Sequence, residues 1–158
     1  MPEKLHPNAV RVAEALRSRG VDAEIVVLAD SAPTAATAAA QLGCEVGAIA
    51  NSLIFDADGA PLLVLTSGAH RVNTDLVAGV VGAQKVRRAT PEFVREHTGQ
   101  PIGGVAPVGH PAPVRTLVDT WLGKHERVWA AAGHPHTVFA TTYGELLEIT
   151  GGTAADVE

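Results

Sequence analysis

Apolar residues recur at helical spacing in five stretches of the chain, and each stretch has a start or stop signal beside it. In the first stretch, Val10, Ala13 and Leu16 would lie on one face of a helix. Proline or a capping residue opens most of the stretches, and glycine closes them. The predicted helices run from Pro7 to near Gly20, over Thr34–Leu42 before Gly43, from Asn73 or Thr74 through Val81, from Thr90-Pro91 to near Gly99, and from Thr142 to Gly151.

Other segments are rich in β-branched and apolar residues and predict strands. Two of them flank Asp56-Ala57-Asp58-Gly59, which is a turn signal, so we expect a β-hairpin there. The residues after Gly151 are expected to be frayed. The predicted strands or extended segments are Val21–Leu28, Ala48–Phe55, Pro61–Thr66, Lys85–Arg88, Val114–Asp119, Val128–Ala132 and Thr137–Ala140.

The order of these elements is irregular: helix, strand, helix, hairpin, two helices, a group of strands and a last helix. Such an order favours a mixed sheet with helices outside it over a strictly alternating parallel fold. The sequence therefore predicts an α/β fold of the α+β type. A chain of 158 residues without a linker or internal repeat indicates a single domain over residues 1–158.

Composition narrows the class of protein. Hydrophobic residues make up 46% of the chain and charged residues 18%, which is typical of a folded globular domain. No apolar run approaches the ~18 residues of a membrane span, and the N-terminus lacks the pattern of a secretory signal. The single cysteine, Cys44, excludes an internal disulfide. We therefore expect a cytoplasmic protein without a membrane partner.

The net charge is −5, and this argues against broad binding to nucleic acids, including DNA. Any contact with RNA must then be local. The densest basic cluster is Lys85, Arg87 and Arg88, which is either a solvated surface patch or a contact for a phosphate backbone.

A loop at Pro101–Pro111 contains three glycines and three prolines in eleven positions. Glycine lets backbone N–H groups approach a ligand, and proline fixes the path of the chain. The loop lacks the spacings of a P-loop or a dinucleotide site. Its composition fits a cradle for a carbonyl or an anion, and equally a tight connection between strands.

The remaining candidate groups for chemistry give weaker signals. His134 and His136 would point to the same side of a strand, but only His110 could add a third metal ligand, so we expect no metal and no other cofactor. Ser67 is not in a nucleophile elbow, and Cys44 has no histidine nearby in sequence. A covalent mechanism is not supported.

Four segments together resemble the YbaK/EbsC family, which is related to the editing domain of bacterial prolyl-tRNA synthetase. They occur in family order over nearly the whole chain. The segments are Ile49–Phe55, Gly103–Gly109, Leu117–Asp119 and Gly133–Pro135. The resemblance implies a mixed, partly barrel-like β-sheet surrounded by helices, and hydrolysis of the ester between a wrong amino acid and tRNA. The family's GxxxP loop matches Gly103 and Pro107 here. In known members of the family, this loop lies beside the aminoacyl group.

The chain departs from the family at one position that matters. Deacylating members carry a lysine in a Lys-Ser/Thr-Leu strand motif, and the matching residue here is Asn51. A neutral amide makes weaker hydrogen bonds than an ammonium group, so the change would cost one or two powers of ten in rate unless His110, His134 or Arg71 compensates.

The resemblance therefore implies a free-standing deacylase that binds the 3′ acceptor end of an aminoacyl-tRNA, with a small amino acid as substrate and a synthetase as a further partner. Backbone N–H groups of the Gly103–Gly109 loop would polarise the ester carbonyl. The expected catalytic residues are Asn51, Gly103, Gly104, Asp119 and His134. The expected substrate-binding residues are Ser52, Val105, Ala106, Pro107, Gly109, His110, Gly133 and Arg71, and the expected tRNA-binding residues are Lys85, Arg87 and Arg88.

Two other functions stay open at this point. The domain could bind aminoacyl-tRNA after losing hydrolysis, with Asn51 as the trace of that loss. It could also hydrolyse a different small acyl ester, in which case the basic cluster would have no role.

Overall fold

A computed structural model describes residues 6–30 and 34–158. Its helices are Pro7–Ser18 (α1), Ala35–Leu42 (α2), Thr74–Val81 (α3), Pro91–Thr98 (α4) and Tyr143–Thr150 (α5), with short 3-10 turns at Val46–Ala48 and Thr120–Lys124. Its strands are Ile25–Val27 (β1), Ile49–Ala57 (β2), Ala60–Ser67 (β3), Val86–Arg88 (β4), Arg115–Asp119 (β5), Val128–Ala131 (β6), Thr137–Thr141 (β7) and Thr153–Ala155 (β8). None of the described helices is long and apolar enough to cross a membrane.

The helix starts follow from local capping. The side chains of Thr34, Asn73, Thr90 and Thr142 each accept a hydrogen bond from a backbone N–H in the first turn of α2, α3, α4 and α5. These bonds satisfy donors that the helix itself leaves free. The predicted starts of these four helices are confirmed.

The eight strands form one mixed sheet in the order β1-β7-β6-β2-β3-β5-β8, and β4 also pairs with β2. The pairs β2–β6, β3–β5 and β5–β8 are parallel, and the others are antiparallel. The hairpin is β2–β3, and its tip contains Asp58 and Gly59, both at positive φ. The predicted mixed sheet with helices around it is confirmed.

Strand β2 changes partner along one of its edges. It pairs with β6 at Ile49 and Ala50, and with β4 from Phe55 onward. Between these points, residues 51–54 pair with β3 on the opposite edge, and no described residue pairs with them on this one. The sheet therefore opens beside Asn51, where this edge of β2 has no strand partner within residues 6–30 and 34–158.

Helices pack on both faces of the sheet. The largest apolar cluster joins the sheet to α1, α4 and α5 through buried residues such as Leu16, Val94 and Leu146. Smaller clusters hold α3 and α2 against the sheet. Alternation along β2 sends Ala50 and Ile54 into the largest cluster, whereas Phe55 joins the cluster beneath α3.

Three local expectations from the sequence were wrong. Val10 is 40% exposed, and the buried face of α1 is formed by Ala9, Val12 and Leu16. The strand expected over Val21–Leu28 is limited to the three residues of β1, which pair with β7. The C-terminus is not frayed, since β8 adds to the edge of β5 and Val157 is fully buried.

Candidate functional site

A cleft lies where β2 leaves β6. Its two parts are a narrow recess of about 30 Å³ and a wider cavity of about 300 Å³. The recess is closed by α2, β6 and the turn at His134-Pro135, whereas the wider part extends along β2 towards Arg88. The residues common to both parts are Thr34, Ala35, Asn51, Ser52, Gly103 and Val105.

The glycine-rich loop forms one wall of this cleft, as its composition suggested. Gly103 has φ of +85°, a conformation that side chains disfavour. Gly104 is packed so closely that an added Cβ would lie 2.8 Å from the carbonyl carbon of His134 and 2.9 Å from Cδ of Pro135. Glycine at position 104 therefore lets the loop lie directly on the His134-Pro135 turn.

The backbone donors of the loop divide into two groups. The N–H of Gly104 donates to the carbonyl of Pro101 at 3.0 Å, and the N–H of Ala106 donates to Oε1 of Gln100 at 2.6 Å. The N–H groups of Gly103 and Val105 have no hydrogen-bond partner among the described residues. Since both residues line the cleft, their N–H groups are the candidate donors for a carbonyl or an anion.

Asn51 and Ser52 form the facing wall. Both are half-buried on the unpaired edge of β2. Asn51 lies opposite Thr66 in the hairpin register, and its side-chain amide makes no hydrogen bond within residues 6–30 and 34–158. The buried hydroxyl of Ser52 has no partner there either. Asn51 and Ser52, whose side chains have no partner among the described residues, thus line the same cleft as the N–H groups of Gly103 and Val105.

His134 lies at the narrow end of the cleft within a stack of imidazole rings. Its ring centroid is 4.5 Å from that of His6 and 5.4 Å from that of His136. Burial and the neighbouring imidazoles of His6 and His136 lower its pKa below the usual 6.5. Its Nδ1 accepts the N–H of His136 at 3.2 Å. The neutral ring therefore carries its proton on Nε2 and serves as a donor.

The three basic residues predicted to contact tRNA do not lie in equivalent places. Arg88 lines the wide part of the cleft. Arg87 is exposed, and its Nε lies 3.6 Å from a carboxylate oxygen of Asp56. Lys85 is exposed, and its backbone N–H donates to Asp58. Of the three, Arg88 is thus the one next to the candidate site.

Asp119, which we expected to act at the edge of the site, is fully buried at the end of β5 and does not line the cleft. Its carboxylate accepts the N–H groups of Ser67 and Trp121, each at 2.9 Å, and one oxygen lies 2.8 Å from Nδ1 of His70. These bonds join the ends of β3 and β5 to the following turn. The structure gives Asp119 a place in the framework, because polar partners already occupy both carboxylate oxygens.

The second half of the loop turns away from the cleft. Pro107, Gly109 and His110 line a separate depression on another side of the domain. Ala106 is fully buried, and its carbonyl lies 2.8 Å from Nε2 of His110. The GxxxP segment therefore contributes its glycine end to the cleft and its proline end to the fold.

Two further residues expected to bind substrate lie elsewhere. Gly133 is buried against α1, where an added Cβ would lie 3.0 Å from Cβ of Asn8. Arg71 is exposed, lines none of the cavities beside β2, and donates its backbone N–H to Glu158. Neither Gly133 nor the side chain of Arg71 therefore lies in the cleft beside Asn51.

Sequence reasoning missed Gln100, which fixes the loop from behind. The residue is 3% exposed, and a polar side chain so deeply buried needs partners. It follows the helix-ending Gly99 and belongs to no recognisable motif, so only the folded contacts identify it. Within residues 6–30 and 34–158, no group of three or more His, Cys, Asp or Glu side chains could hold a metal ion.

Comparison with known proteins is consistent with this arrangement. A family model described as an aminoacyl-tRNA editing domain matches residues 29–149. Proline–tRNA ligase of Nitratidesulfovibrio vulgaris is 36% identical over 81 residues, a match that covers 51% of this chain and 14% of the ligase. YwhH, an uncharacterised protein of Bacillus subtilis, is 30% identical over 121 residues, which is 76% of each chain.

A solved structure extends the comparison to nearly the whole chain. It is described as a candidate trans-editing enzyme for prolyl-tRNA synthetase, and its sequence is 43% identical to this one. The two structures agree with a TM-score of 0.92 over 98% of this chain and 99% of the other. The chain thus corresponds to a small part of a ligase and to the full length of a separate editing protein. On the family match and this structural agreement, the chain belongs to the aminoacyl-tRNA editing domain family.

Proposed function

We propose that the protein is a free-standing deacylase, a single editing domain that hydrolyses the ester bond of tRNA carrying a wrong, small amino acid. The observation that carries the proposal is that Gly103 and Val105, whose N–H groups have no partner among the described residues, line one cleft together with Asn51 and Ser52, whose side chains likewise have none there. Such a site can hold an ester carbonyl on one side and the rest of an aminoacyl group on the other.

The shape of the recess supports a small amino acid. At about 30 Å³ against about 300 Å³, the recess has a tenth of the volume of the wider part of the cleft. Ala35, Ala38 and Val138 line it, so it offers apolar surface and little room for growth. We therefore propose that the recess takes a methyl or hydroxymethyl side chain in preference to a branched or aromatic one. Size exclusion of this kind removes errors that a synthetase cannot reject by binding alone.

The proposed chemistry uses water and backbone donors. The ester carbonyl accepts hydrogen bonds from the N–H groups of Gly103 and Val105, which stabilise the oxyanion that forms when water attacks. The carbon–oxygen bond to the ribose then breaks, and the proton lost by the water ends on the ribose oxygen. Asn51 and Ser52 orient the amino acid and the ribose. Because an aminoacyl ester is already activated, this arrangement needs no strong base.

His134 has a supporting role in the proposal. Its lowered pKa keeps the ring neutral at physiological pH, and its proton on Nε2 makes it a donor. His134 lines the recess and not the wide part of the cleft, so this donor lies at the amino-acid end of the bound substrate. We therefore assign His134 to a hydrogen bond with the aminoacyl group.

Arg88 supports RNA as the carrier of the ester. It is exposed in the wide part of the cleft, where the nucleotides preceding the terminal ribose would lie. A guanidinium pairs well with phosphate, and one such local contact is compatible with a net charge of −5. We propose that Arg88 contacts the acceptor end directly and that Lys85 and Arg87 contribute long-range attraction.

The relatives suggest which errors the protein removes. They are a proline–tRNA ligase and a structure described as a candidate trans-editing enzyme for prolyl-tRNA synthetase. We propose that the substrate is tRNA for proline that carries a smaller amino acid, and that prolyl-tRNA synthetase is the enzyme whose errors are cleared. Such a substrate arises during translation, so we propose a cytoplasmic location.

Release of labelled amino acid from a panel of charged tRNAs tests the proposal. Alanine, serine and cysteine esters should be hydrolysed well above the buffer rate, whereas leucine and phenylalanine esters should not. The Arg88→Gln variant should hydrolyse the small esters with a raised KM. Equal hydrolysis of large and small esters would contradict the role of the recess.

Asn51 supports one alternative, a binding module without hydrolysis. The family's lysine is absent, and among the described residues no cationic side chain other than Arg88 lines the cleft. The Asn51→Lys variant separates the two functions. Activity that appears only in the variant identifies a module that has lost catalysis, whereas activity in the natural protein supports the deacylase.

A further inference from the structure

The N–H donors of the loop depend on one buried side chain. Oε1 of Gln100 accepts the N–H of Ala106 at 2.6 Å, and Nε2 donates to the carbonyl of Val108 at 3.3 Å. These bonds hold the middle of the loop from the side opposite the cleft. Val105, whose N–H is uncommitted, directly precedes Ala106, so the position of that donor follows from the bond to Gln100.

The backbone of Gln100 is itself held in place. Oγ1 of Thr98 accepts the N–H of Gln100 at 3.1 Å, and its one proton is shared between the Val94 carbonyl at 2.7 Å and the Gln100 carbonyl at 3.1 Å. Thr98 is 1% exposed and ends α4, where Gly99 at φ +71° redirects the chain. The loop is thus connected through Gln100 to the end of a helix.

Two other contacts limit where the loop can move. Gly104 lies on the His134-Pro135 turn, and an added Cβ on Gly109 would lie 3.4 Å from both Nε2 of Gln100 and Cγ2 of Val12. The first contact stops movement towards the turn, and the second packs the far end of the loop on α1. Between them, Gln100 makes polar contacts with Ala106 and Val108, and His110 makes one with the Ala106 carbonyl.

We infer that Gln100 is a positioning residue for the editing reaction, which sets the direction of the Val105 N–H towards the cleft through its bonds to Ala106 and Val108. This inference rests on the proposed function. Glutamine suits the position because the two loop groups require one acceptor and one donor on a neutral side chain. An ionised glutamate offers acceptors alone, and methionine offers neither with comparable strength.

The Gln100→Met variant tests the inference in single-turnover and steady-state deacylation of tRNA bearing a small amino acid. An oxyanion donor acts in the transition state, so kcat should fall about tenfold to a hundredfold while KM changes little. Thr141→Val is a matched control, since it removes another buried hydrogen bond, from Thr141 to Glu145, outside the cleft. It should lower the melting temperature and leave kcat unchanged. A Gln100→Met variant with the natural kcat would overturn the inference.

The Gln100→Glu variant adds a signature that a purely structural role would not produce. When protonated, glutamic acid can accept from Ala106 and donate to Val108, as glutamine does; when ionised, it repels the Val108 carbonyl. Burial raises the pKa of such a carboxyl group. The ratio of the variant's kcat to that of the natural protein should therefore rise as pH falls between about pH 8 and pH 5.

Dividing kcat of Gln100→Glu by kcat of the natural protein cancels any pH dependence that the two proteins share. His110 bonds to Ala106 and titrates in both, and Arg19 is the other charge that acts on His110. Gln100→Met should show a flat ratio over the same range. A flat ratio for Gln100→Glu as well would contradict the inference.

Amide hydrogen exchange gives a readout that does not need turnover. In Gln100→Met, the amide of Ala106 should lose its protection, and the resonances of Gly103 and Val105 should shift, whereas those of α5 should not. If the natural protein hydrolysed no ester, the proposed function would fail while this measurement still reported on the loop. Unchanged protection of Ala106 would refute the positioning role by itself.

Discussion

Gly104→Ala is the substitution whose effect the structure predicts most closely, because it adds a single methyl group at the wall of the cleft. The new Cβ would lie 2.8 Å from the carbonyl carbon and 2.9 Å from Cα of His134. Carbon atoms prefer separations of about 3.5–4.0 Å, so one side of the contact must move by roughly 1 Å. Both neighbours are backbone atoms, which cannot rotate away.

That displacement has a cost in stability and in rate. Forcing an extra methyl group into a packed site costs about 1–3 kcal/mol. In a domain of this size, 1 kcal/mol lowers the melting temperature by about 2–4 °C, so we expect a fall of roughly 2–12 °C. A shift of 1 Å in catalytic groups can reduce the rate about a hundredfold. We therefore expect kcat/KM to fall by about one to two powers of ten.

Gly79→Ala is the matched control. Gly79 lies in α3, and apart from its chain neighbours and the backbone of its own helix, no heavy atom would lie within 4 Å of its added Cβ. Alanine in a helix is more favourable than glycine by about 0.5–1 kcal/mol, so this variant should be slightly more stable and fully active. Thermal melting and single-turnover deacylation of both variants complete the test. Natural stability and activity in Gly104→Ala would refute the close contact between the loop and the turn.

Three further predictions concern charge. Arg88→Gln should raise KM for tRNA about tenfold and reduce the slope of log affinity against log salt concentration by about one. Arg87→Gln should change both less, because Arg87 already pairs with a carboxylate. KM of both variants over a range of salt concentrations tests this, and equal effects would contradict the placement of Arg88. Burial lowers the pKa of His110 below 6.5, so on acidification the unfolded chain binds the proton first, and stability is lost as pH falls below about 6.5. In His110→Gln the melting temperature should therefore fall less steeply with decreasing pH. The same pH dependence of the melting temperature in the variant would contradict this cause. Asp119→Asn should destabilise the fold by about 1.5–3 kcal/mol in denaturant titration and leave kcat of the folded fraction unchanged. A loss of kcat without a loss of stability would contradict this and indicate a catalytic role for Asp119.

Local signals explain what could be predicted from the sequence. Capping by Thr34, Asn73, Thr90 and Thr142 involves residues two or three positions apart, so the starts of α2 to α5 are visible in the sequence. The β2–β3 hairpin is likewise formed by adjacent segments around a turn. The wall formed by Gly103 followed from loop composition together with the resemblance to editing domains.

Contacts between distant residues explain what could not be predicted. Strand β8 exists because Val118 and its neighbours on β5 offer it a free edge, and its own sequence carries little strand signal. Asp119 occurs in a family motif but bonds to Ser67 and His70, which lie about fifty positions earlier. Gln100 acquires its importance from Ala106 and Val108, and a glutamine after a helix-ending glycine has no distinctive sequence signal.

The most direct test of the account is single-turnover release of alanine from tRNA for proline by the natural protein, with prolyl-tRNA as the reference. The account predicts release of alanine well above the buffer rate, while the larger proline ester is left intact by the narrow recess. Alanyl ester that decays at the buffer rate in saturating protein would contradict the central claim that the cleft beside Asn51 hydrolyses aminoacyl-tRNA.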